Sequence, residues 1–311
     1  MVNYRCNAAC RHCLYACSAS RRIGYISKDK IREICHFLVK RQIRSVHIGG
    51  GEPFLDFKAL LVVIQELAKA KITLDYIETN AFWAHDPECE EYLTILNQEG
   101  VNALCISVDP FHAEYVPWEY PLKLAHSCEK LGMGYFLWKQ GFLKQLSSLD
   151  GNKRHTRKEI ERTLSADYIK KTSSAYGIKL GGRAINIEEE YVQRKPIKLL
   201  LDDKPCDDLL STCHFHVDLE GNFIPPGCTG IYLPLKEVLE GIKPGHYPVF
   251  ESLYTDGITG LYRFALQYGF SEDEEGYPSK CNLCFRVREF LASRGFTELD
   301  EDFYRESLKY Y

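Results

Sequence analysis

Two hydrophobic periodicities alternate along residues 1–185 of the chain. Segments of about 10 to 15 residues carry apolar positions at helical spacing, and short apolar runs rich in Val, Ile and Leu lie between them. This alternation predicts βα units that form a parallel sheet. The predicted helices span residues 28–40, 57–70, 88–99, 121–131 and 157–175, and the predicted strands span residues 45–48, 72–77, 103–108, 133–138 and 178–180.

Six units of this kind predict an α/β fold, namely a partial (β/α)6 barrel of the TIM type. Only five residues precede Cys6, so we expect a first strand that is short or trimmed at its start. In such barrels the loops that follow the strands build the active site. Unusual residues follow the predicted strands at positions 49–53, 79–80, 109–112 and 181–184.

The alternation of helix and strand patterns ends after residue 185, and a polar connector follows. From Cys213 to Cys228 apolar and polar residues alternate around a Glu-Gly-Asn turn, which predicts a β-hairpin. A C-x2-C pair, Cys281 and Cys284, then opens a predicted helix. We therefore expect two domains, the barrel in residues 1–185 and a small cysteine-rich α+β extension in residues 186–311.

Composition narrows the class of protein. The chain has 311 residues, of which 45% are hydrophobic, and a formal net charge of −4. Basic and acidic residues are mixed along the sequence, which disfavours binding to nucleic acid. The sequence has no apolar run long enough for a transmembrane helix, and its N-terminus lacks the apolar segment of a signal peptide. We expect a cytoplasmic globular protein that binds neither nucleic acid nor a membrane.

Cysteine usage adds a chemical prediction. The chain has 13 cysteines, and reduced thiols clustered in a cytoplasmic protein indicate metal binding rather than disulfides. They form two groups, Cys6, Cys10, Cys13 and Cys17 near the start, and Cys206, Cys213, Cys228, Cys281 and Cys284 near the end. The others lie in apolar periodic segments and are predicted core residues: Cys35, Cys89, Cys105 and Cys128.

The spacing Cys6-x3-Cys10-x2-Cys13, followed at a strand end by the segment Gly50–Pro53 (Gly-Gly-Glu-Pro), resembles the radical S-adenosylmethionine (SAM) superfamily. The resemblance implies that the three thiolates hold three irons of a [4Fe–4S] cluster and that the fourth iron stays open to SAM. It also implies that an electron from an external donor such as flavodoxin or ferredoxin cleaves SAM to a 5′-deoxyadenosyl radical. That radical would abstract hydrogen from the substrate, while the protein orients the reactants and excludes competing reactions.

The same resemblance assigns contacts with SAM to the Gly-Gly-Glu-Pro segment. Gly50 and Gly51 would let the backbone approach the methionine end of SAM. Glu52 would accept a hydrogen bond from the ammonium group, and Pro53 would fix the turn.

Further predicted SAM-binding residues follow other strands. Thr79-Asn80 resembles the Thr-Asn-Gly of the family, with Ala81 in place of the glycine. Ser107 or Asp109 would contact the ribose or the carboxylate, and His12 occupies the position of an aromatic residue that packs near the adenine. The sequence does not indicate which residues are catalytic.

Two other readings of the N-terminal cysteines remain open. Cys17 extends the motif to Cys10-x2-Cys13-x3-Cys17, which is reminiscent of a bacterial ferredoxin and would close the cluster with a fourth ligand. Cys17 is otherwise a bystander, because Ser18 stands where a ferredoxin has proline. A zinc ion held by Cys6, Cys10 and Cys13 is the second alternative.

The second group of cysteines resembles the SPASM or twitch extensions of this superfamily, which hold auxiliary iron–sulfur clusters. One auxiliary cluster is expected on Cys213, Cys228, Cys281 and Cys284. Cys206 is either a substitute for Cys213 or a bystander. Zinc on the same four thiolates is again an alternative, since two separated cysteines and a C-x2-C pair also suit tetrahedral coordination.

A cluster-bearing extension implies an oxidoreductase of the peptide maturase type. The expected substrate is a peptide that undergoes crosslinking, epimerisation or oxidation of a side chain. The first alternative is a radical SAM enzyme that acts on a small-molecule metabolite. The second is a non-catalytic scaffold that binds an iron–sulfur cluster or zinc.

Overall fold

The structure is a computed structural model that describes residues 1–21, 24–165, 167–201, 204, 206, 209 and 211–310. The chain divides into two compact units. The first unit consists of Met1–Cys10 and Cys17–Tyr176, and the second consists of Arg11–Ala16 and Gly177–Tyr311. Among the described residues, no helix combines the length and the apolar character needed to cross a membrane.

A parallel four-stranded sheet forms the centre of the first unit, with its strands in sequential order. The strands are β1 (Ser45–Ile48), β2 (Thr73–Thr79), β3 (Ala103–Ser107) and β4 (Gly134–Trp138). The helices of this unit are α1 (Lys28–Lys40), α2 (Phe57–Lys69), α3 (Cys89–Gln98), α4 (Glu119–Leu131), α5 (Leu143–Leu146), α6 (Arg157–Leu164) and α7 (Tyr168–Tyr176).

The helices of the first unit bury the apolar faces that the periodicity predicts. In α1 the buried residues include Ile31, Ile34 and Leu38, and the Ser27 side chain caps the helix by accepting from a backbone N–H of the first turn. The cysteines predicted in the core, Cys35, Cys89, Cys105 and Cys128, are all buried. The first four helices and four of the five predicted strands are confirmed, with boundaries that shift by at most two residues.

The N-terminal segment lies beside the loop that follows β1. Val2 N–H donates to the Gly49 carbonyl (3.0 Å), Gly51 N–H to the Asn3 carbonyl (2.9 Å) and Glu52 N–H to the Arg5 carbonyl (2.9 Å). The segment therefore extends along this loop without becoming a regular strand. Its place next to β1 agrees with the expected short first strand.

The last predicted helix and strand of the barrel differ from the structure. The expected helix over residues 157–175 is divided into α6 and α7, because Ser165 has φ 155° and ψ 163°. Residues 178–180 are not a strand. The Gly181 N–H donates to the Lys179 carbonyl in a tight turn, and a 3-10 helix, Gly182–Asn186, follows.

The second unit is an α+β structure. It contains an antiparallel three-stranded sheet. Its strands are β5 (His216–Val217), β6 (Asn222–Ile224) and β7 (Leu233–Pro234), and its helices are α8 (Leu235–Glu240), α9 (Pro248–Leu266), α10 (Lys280–Ala292) and α11 (Glu301–Leu308). The fully buried side chains of this unit include Phe223, Phe285 and Phe303.

The predicted hairpin is present but shorter than the alternation suggests. Pairing begins at His216, so Cys213 precedes the first strand instead of lying in it. The turn is held by Asp218, whose Oδ1 accepts from the backbone N–H groups of Glu220 (2.9 Å) and Asn222 (2.8 Å). Such side-chain bonds to the backbone compete with strand pairing and define the turn.

Candidate functional site

Two cysteines of the N-terminal motif belong to the first unit. Cys6 and Cys10 are buried free thiols. The Ala8 backbone N–H (3.4 Å) and the Asn80 side-chain amide (3.7 Å) both donate to Cys6 Sγ. N–H donors directed at sulfur stabilise the thiolate form that binds iron.

The third cysteine of the motif, Cys13, lies in the second unit and is half-buried. Its carbonyl accepts from the Arg183 N–H (3.0 Å). Gly182 has φ +52°, and a Cβ there would lie 2.5 Å from the Cys13 carbonyl oxygen and 2.3 Å from that of Leu14. Glycine at this position therefore permits the close approach of the Cys13 segment. His12 is half-buried in the same segment.

The glycines of the Gly-Gly-Glu-Pro segment are required by a close backbone approach. A Cβ on Gly50 would lie 2.8 Å from the Asn3 carbonyl oxygen, and one on Gly51 would lie 2.0 Å from the Arg5 carbonyl oxygen. The segment therefore packs directly on the residues that lead to Cys6. Pro53 begins a 3-10 helix, and the predicted contacts of this segment with SAM stay predictions.

Glu52 ties this segment to the end of β2. Its side chain is 1% exposed. It accepts from the Phe54 N–H (3.1 Å), the Thr79 hydroxyl (2.9 Å) and the Asn80 N–H (2.8 Å). Burial raises the pKa of Glu52 to about 7, although these hydrogen bonds oppose the shift. Three of roughly four acceptor positions of the carboxylate are used, so one remains for the predicted ammonium group.

The residues after β2 continue the network. Asn80 donates to Asn7 Oδ1 (2.9 Å) as well as to Cys6, and the Trp83 indole N–H donates to the Thr79 hydroxyl (3.1 Å). Ala81, which replaces the glycine of the family pattern, has φ 62°. A non-glycine residue in this left-handed region costs roughly 1–2 kcal/mol, which the surrounding network must offset.

A carboxylate–imidazole pair contacts the second cysteine. Asp109 Oδ1 accepts from the N–H groups of Phe111 (2.9 Å) and His112 (3.0 Å), and Oδ2 lies 2.7 Å from His112 Nδ1. The His112 side chain hydrogen-bonds Cys10. Burial lowers the pKa of His112, but Asp109 and Cys10 outweigh this effect and raise it well above its ordinary value.

The sequence analysis missed the role of His112, although the Asp109-x2-His112 spacing after a strand was its signal. Asp109, predicted with Ser107 as one of two alternative contacts with SAM, accepts two hydrogen bonds from backbone N–H groups and pairs with the His112 imidazole. Ser107, the alternative residue, is half-buried at the end of β3. The assignment of either residue to SAM stays a prediction.

The second cysteine group gathers around the start of α10 in the second unit. Burial raises the pKa of Cys228 to about 12, with Arg288 opposing and with Cys284, Cys206 and Cys281 adding to the rise. Burial likewise raises the pKa of Cys281 to about 11, and Cys284 and Cys206 again contribute. These four thiols therefore lie within electrostatic range of one another, and metal binding would have to displace their protons.

Cys213 is exposed, as Cys281 is, but it is not among the groups that dominate these pKa shifts. The structure thus brings Cys206 together with the other three, whereas the sequence favoured Cys213 and kept Cys206 as the substitute. Because the predicted hairpin starts only at His216, Cys213 is not held against the cluster by strand pairing.

A buried arginine that the sequence analysis missed also belongs to this group. Arg288 is 3% exposed and lies one helical turn after Cys284 on α10. It donates to the Thr229 carbonyl (2.7 Å) and the Tyr304 hydroxyl (2.9 Å), and Cys284 contributes to the rise of its pKa. The signal was the Cys-x3-Arg spacing, which puts both residues on one helix face.

The donor sets fit iron–sulfur clusters. Buried thiols with N–H donors in the first unit, and four neighbouring thiols beside a buried cation in the second, are the surroundings that favour thiolate ligands. Both sets consist of free cysteines.

Comparison with known proteins identifies the class. Residues 2–123 match the Radical SAM superfamily. This range contains all three cysteines of the motif, the Gly-Gly-Glu-Pro segment and the first three strands. Residues 2–123 are therefore similar to radical SAM enzymes, and the parallel α/β sheet of the first unit fits the partial TIM barrel of that superfamily.

A curated relative gives a more particular likeness. A protein of Bacillus subtilis (strain 168), named "Putative peptide biosynthesis protein YydG", is 33% identical over 117 residues. The match covers 37% of this chain and 36% of the relative. The chain thus aligns with about a third of the length of that protein.

Proposed function

We propose that this protein is a radical SAM enzyme that takes a hydrogen atom from a peptide and thereby modifies it. The radical SAM match over residues 2–123 carries the mechanistic part of the proposal. The peptide substrate is supported by the name of the Bacillus subtilis relative, a peptide biosynthesis protein. Crosslinking, epimerisation and side-chain oxidation are the modifications that this chemistry allows.

In this proposal Cys6, Cys10 and Cys13 hold the cluster, and one iron is left to SAM. When bound, the cluster and SAM supply the 5′-deoxyadenosyl radical after an electron arrives from a flavodoxin or ferredoxin. The donors from Ala8 and Asn80 hold the Cys6 sulfur as an anion.

Other residues of the first unit would orient SAM. Glu52 fixes the loops after β1 and β2 relative to each other through its three hydrogen bonds. The backbone at Gly50 and Gly51, with Glu52 as acceptor, would contact the methionine end of SAM. Thr79-Asn80, His12 and either Ser107 or Asp109 are its other proposed contacts.

The second unit would hold an auxiliary iron–sulfur cluster on Cys206, Cys228, Cys281 and Cys284. Support comes from the mutual effect of these cysteines on their pKa values and from the C-x2-C spacing of Cys281 and Cys284 at the start of α10. Four thiolates leave no coordination position for the substrate. The role of this centre would therefore be electron transfer rather than substrate binding.

The test is anaerobic reconstitution with iron and sulfide, followed by reduction with dithionite in the presence of SAM. We expect 5′-deoxyadenosine, and with a peptide encoded by a neighbouring short reading frame we expect a change in the peptide mass or stereochemistry. Deoxyadenosine without any peptide change would favour a small-molecule substrate. Absence of deoxyadenosine from iron-loaded protein would exclude the radical reaction.

A matched pair of variants sharpens this experiment. Cys10→Ala should abolish deoxyadenosine formation because it removes a proposed iron ligand, whereas Cys17→Ala should retain most of it. Both cysteines are buried, so the two substitutions remove similar packing. Equal loss in both variants would support a ferredoxin-like cluster closed by Cys17.

A further inference from the structure

Arg288 is a buried cation with an Nε donor that is unpartnered in the described part of the chain. Its Nη1 donates to the Thr229 carbonyl (2.7 Å) and to the Tyr304 hydroxyl (2.9 Å). Its Nε is buried and has no hydrogen-bond partner among the residues that the structure describes. An unpartnered donor on a side chain that is 3% exposed is costly, so it indicates an acceptor that protein groups do not supply.

Two of the proposed ligands adjoin Arg288: Cys228 directly precedes Thr229, whose carbonyl accepts from Arg288, and Cys284 lies one turn before Arg288 on α10. The other side-chain partner of Arg288 is the Tyr304 phenol. A phenol and neutral thiols do not compensate a buried guanidinium, which stays charged at any relevant pH. The cation becomes paired only when the thiols are present as thiolates, as they are in a metal centre.

We propose that Arg288 is the counter-charge of the auxiliary metal–thiolate centre formed by Cys206, Cys228, Cys281 and Cys284, and that it raises the reduction potential of that centre. This inference rests on the auxiliary cluster proposed above. A [4Fe–4S] core with four thiolates is anionic, and one electron from a low-potential donor adds a further negative charge. A fixed cation in a buried site favours that electron.

Arg288 also has a structural role, because its hydrogen bonds link elements of the second unit. The experiment must separate this structural role from the electrostatic one. The Tyr304 hydroxyl, which accepts from Arg288, donates to the Gly230 carbonyl (3.0 Å). Arg288 and Tyr304 together therefore link α10 and α11 to the loop after Cys228. Loss of this link would lower the stability of the protein. It would not make the reduction potential of the centre depend on the charge of residue 288.

The experiment uses the full chain with the Cys10→Ala substitution, so that only the auxiliary centre contributes iron and spectroscopic signal. Iron and zinc are counted, and the centre is titrated with dithionite while reduced cluster is followed by electron paramagnetic resonance. Arg288→Met should lower the ratio of reduced to oxidised cluster at a fixed potential at least tenfold, which is about 59 mV for one electron. Arg294→Gln is the matched control, because Arg294 is exposed and follows the same helix. In this variant the ratio of reduced to oxidised cluster should stay within twofold of the parent value.

Arg288→Lys supplies a second measurement in case Arg288→Met does not fold. A lysine ammonium group loses its charge at high pH, whereas a guanidinium does not, so the potential of this variant should fall as pH rises from about 7 to about 11. The reduction potential of the parent protein, which retains Arg288, should change much less over this range, since the guanidinium stays charged. A structural role alone would give no such dependence on pH.

Three results would overturn the proposal, and they are distinguishable. The role of Arg288 would be excluded by an unchanged reduction potential in iron-loaded Arg288→Met. It would also be excluded if the reduction potential of Arg288→Lys depended on pH no more steeply than that of the parent protein. Zinc in place of iron in the Cys10→Ala protein would exclude a redox role. Absence of any metal in the Cys10→Ala protein would exclude the auxiliary centre itself. The proposed main function would still be tested separately, by deoxyadenosine formation in protein with an intact Cys10.

Discussion

The carboxylate of Glu52 shows how one buried side chain links stability to pH. Its pKa in the folded protein is about 7 because burial disfavours the charged form, whereas a glutamate in an unfolded chain titrates near 4.3. The folded state therefore binds more protons than the unfolded state between these values. Stability contributed by this group is present at low pH and is lost as pH rises through about 7.

Glu52→Gln should consequently cost more at pH 5.5 than at pH 7.5. The amide loses hydrogen bonds at both pH values, whereas the wild-type protein also loses about 2 kcal/mol of stability between pH 5.5 and pH 7, as the buried carboxylate is forced towards ionisation. The free energy of unfolding of the metal-free protein, measured by urea titration at both pH values, is the readout. An equal cost at the two pH values would mean that Glu52 titrates normally in the folded protein.

Among the cysteines of the second unit, we propose Cys206 rather than Cys213 as a ligand. Cys206 acts on the pKa of Cys228 and Cys281, whereas Cys213 is not among the groups that dominate those shifts. Cys206→Ser should therefore lower the iron content to that of one cluster, and Cys213→Ser should leave it unchanged. Iron analysis of the two variants decides between them, and the reverse result would restore Cys213 as the ligand.

At the level of elements, the loop after β1 depends on contact between two backbone segments. The Gly51 N–H donates to the Asn3 carbonyl, and no side chain fits between Gly51 and Arg5. The residues that lead to Cys6 are therefore positioned by hydrogen bonds to this loop. Sequence alone predicted the glycines for a different reason, namely access to SAM.

Gly51→Ala should therefore weaken the first unit before any cofactor binds. The added Cβ would lie 2.0 Å from the Arg5 carbonyl oxygen, so backbone must move, at a cost of about 2 kcal/mol or more. Gly141→Ala is the control, because a Cβ there meets nothing within 4 Å. Thermal unfolding of metal-free protein measures both, and similar midpoints would show that the loop adapts without cost.

The helix and strand pattern of the first unit was accessible from sequence because it is local. Apolar positions in α1 and α2 repeat at helical spacing, and their burial follows from that spacing alone. The segment at residues 178–180 was mistaken for a strand because an apolar triplet has too few positions to define a period. Its tight turn at Lys179–Gly181 and its place in the second unit were decided by contacts with residues far away in sequence.

For the whole molecule, the two proposed centres predict a metal stoichiometry. Reconstituted protein should hold about eight irons and as many sulfides per chain, corresponding to two [4Fe–4S] clusters. Cys281→Ala should retain about four irons and still form some 5′-deoxyadenosine, while turnover of the peptide stops. Retention of the full iron content in this variant would contradict the auxiliary centre.

The sequence by itself determined the class of this protein, because the spacing of Cys6, Cys10 and Cys13 and the Gly-Gly-Glu-Pro segment are local patterns with a direct chemical meaning. Only the tertiary structure decided that His112 interacts with Cys10 and that Cys206 acts on Cys228 and Cys281. Those pairs lie up to 102 positions apart in the sequence, and they depend on packing between elements that no local pattern records.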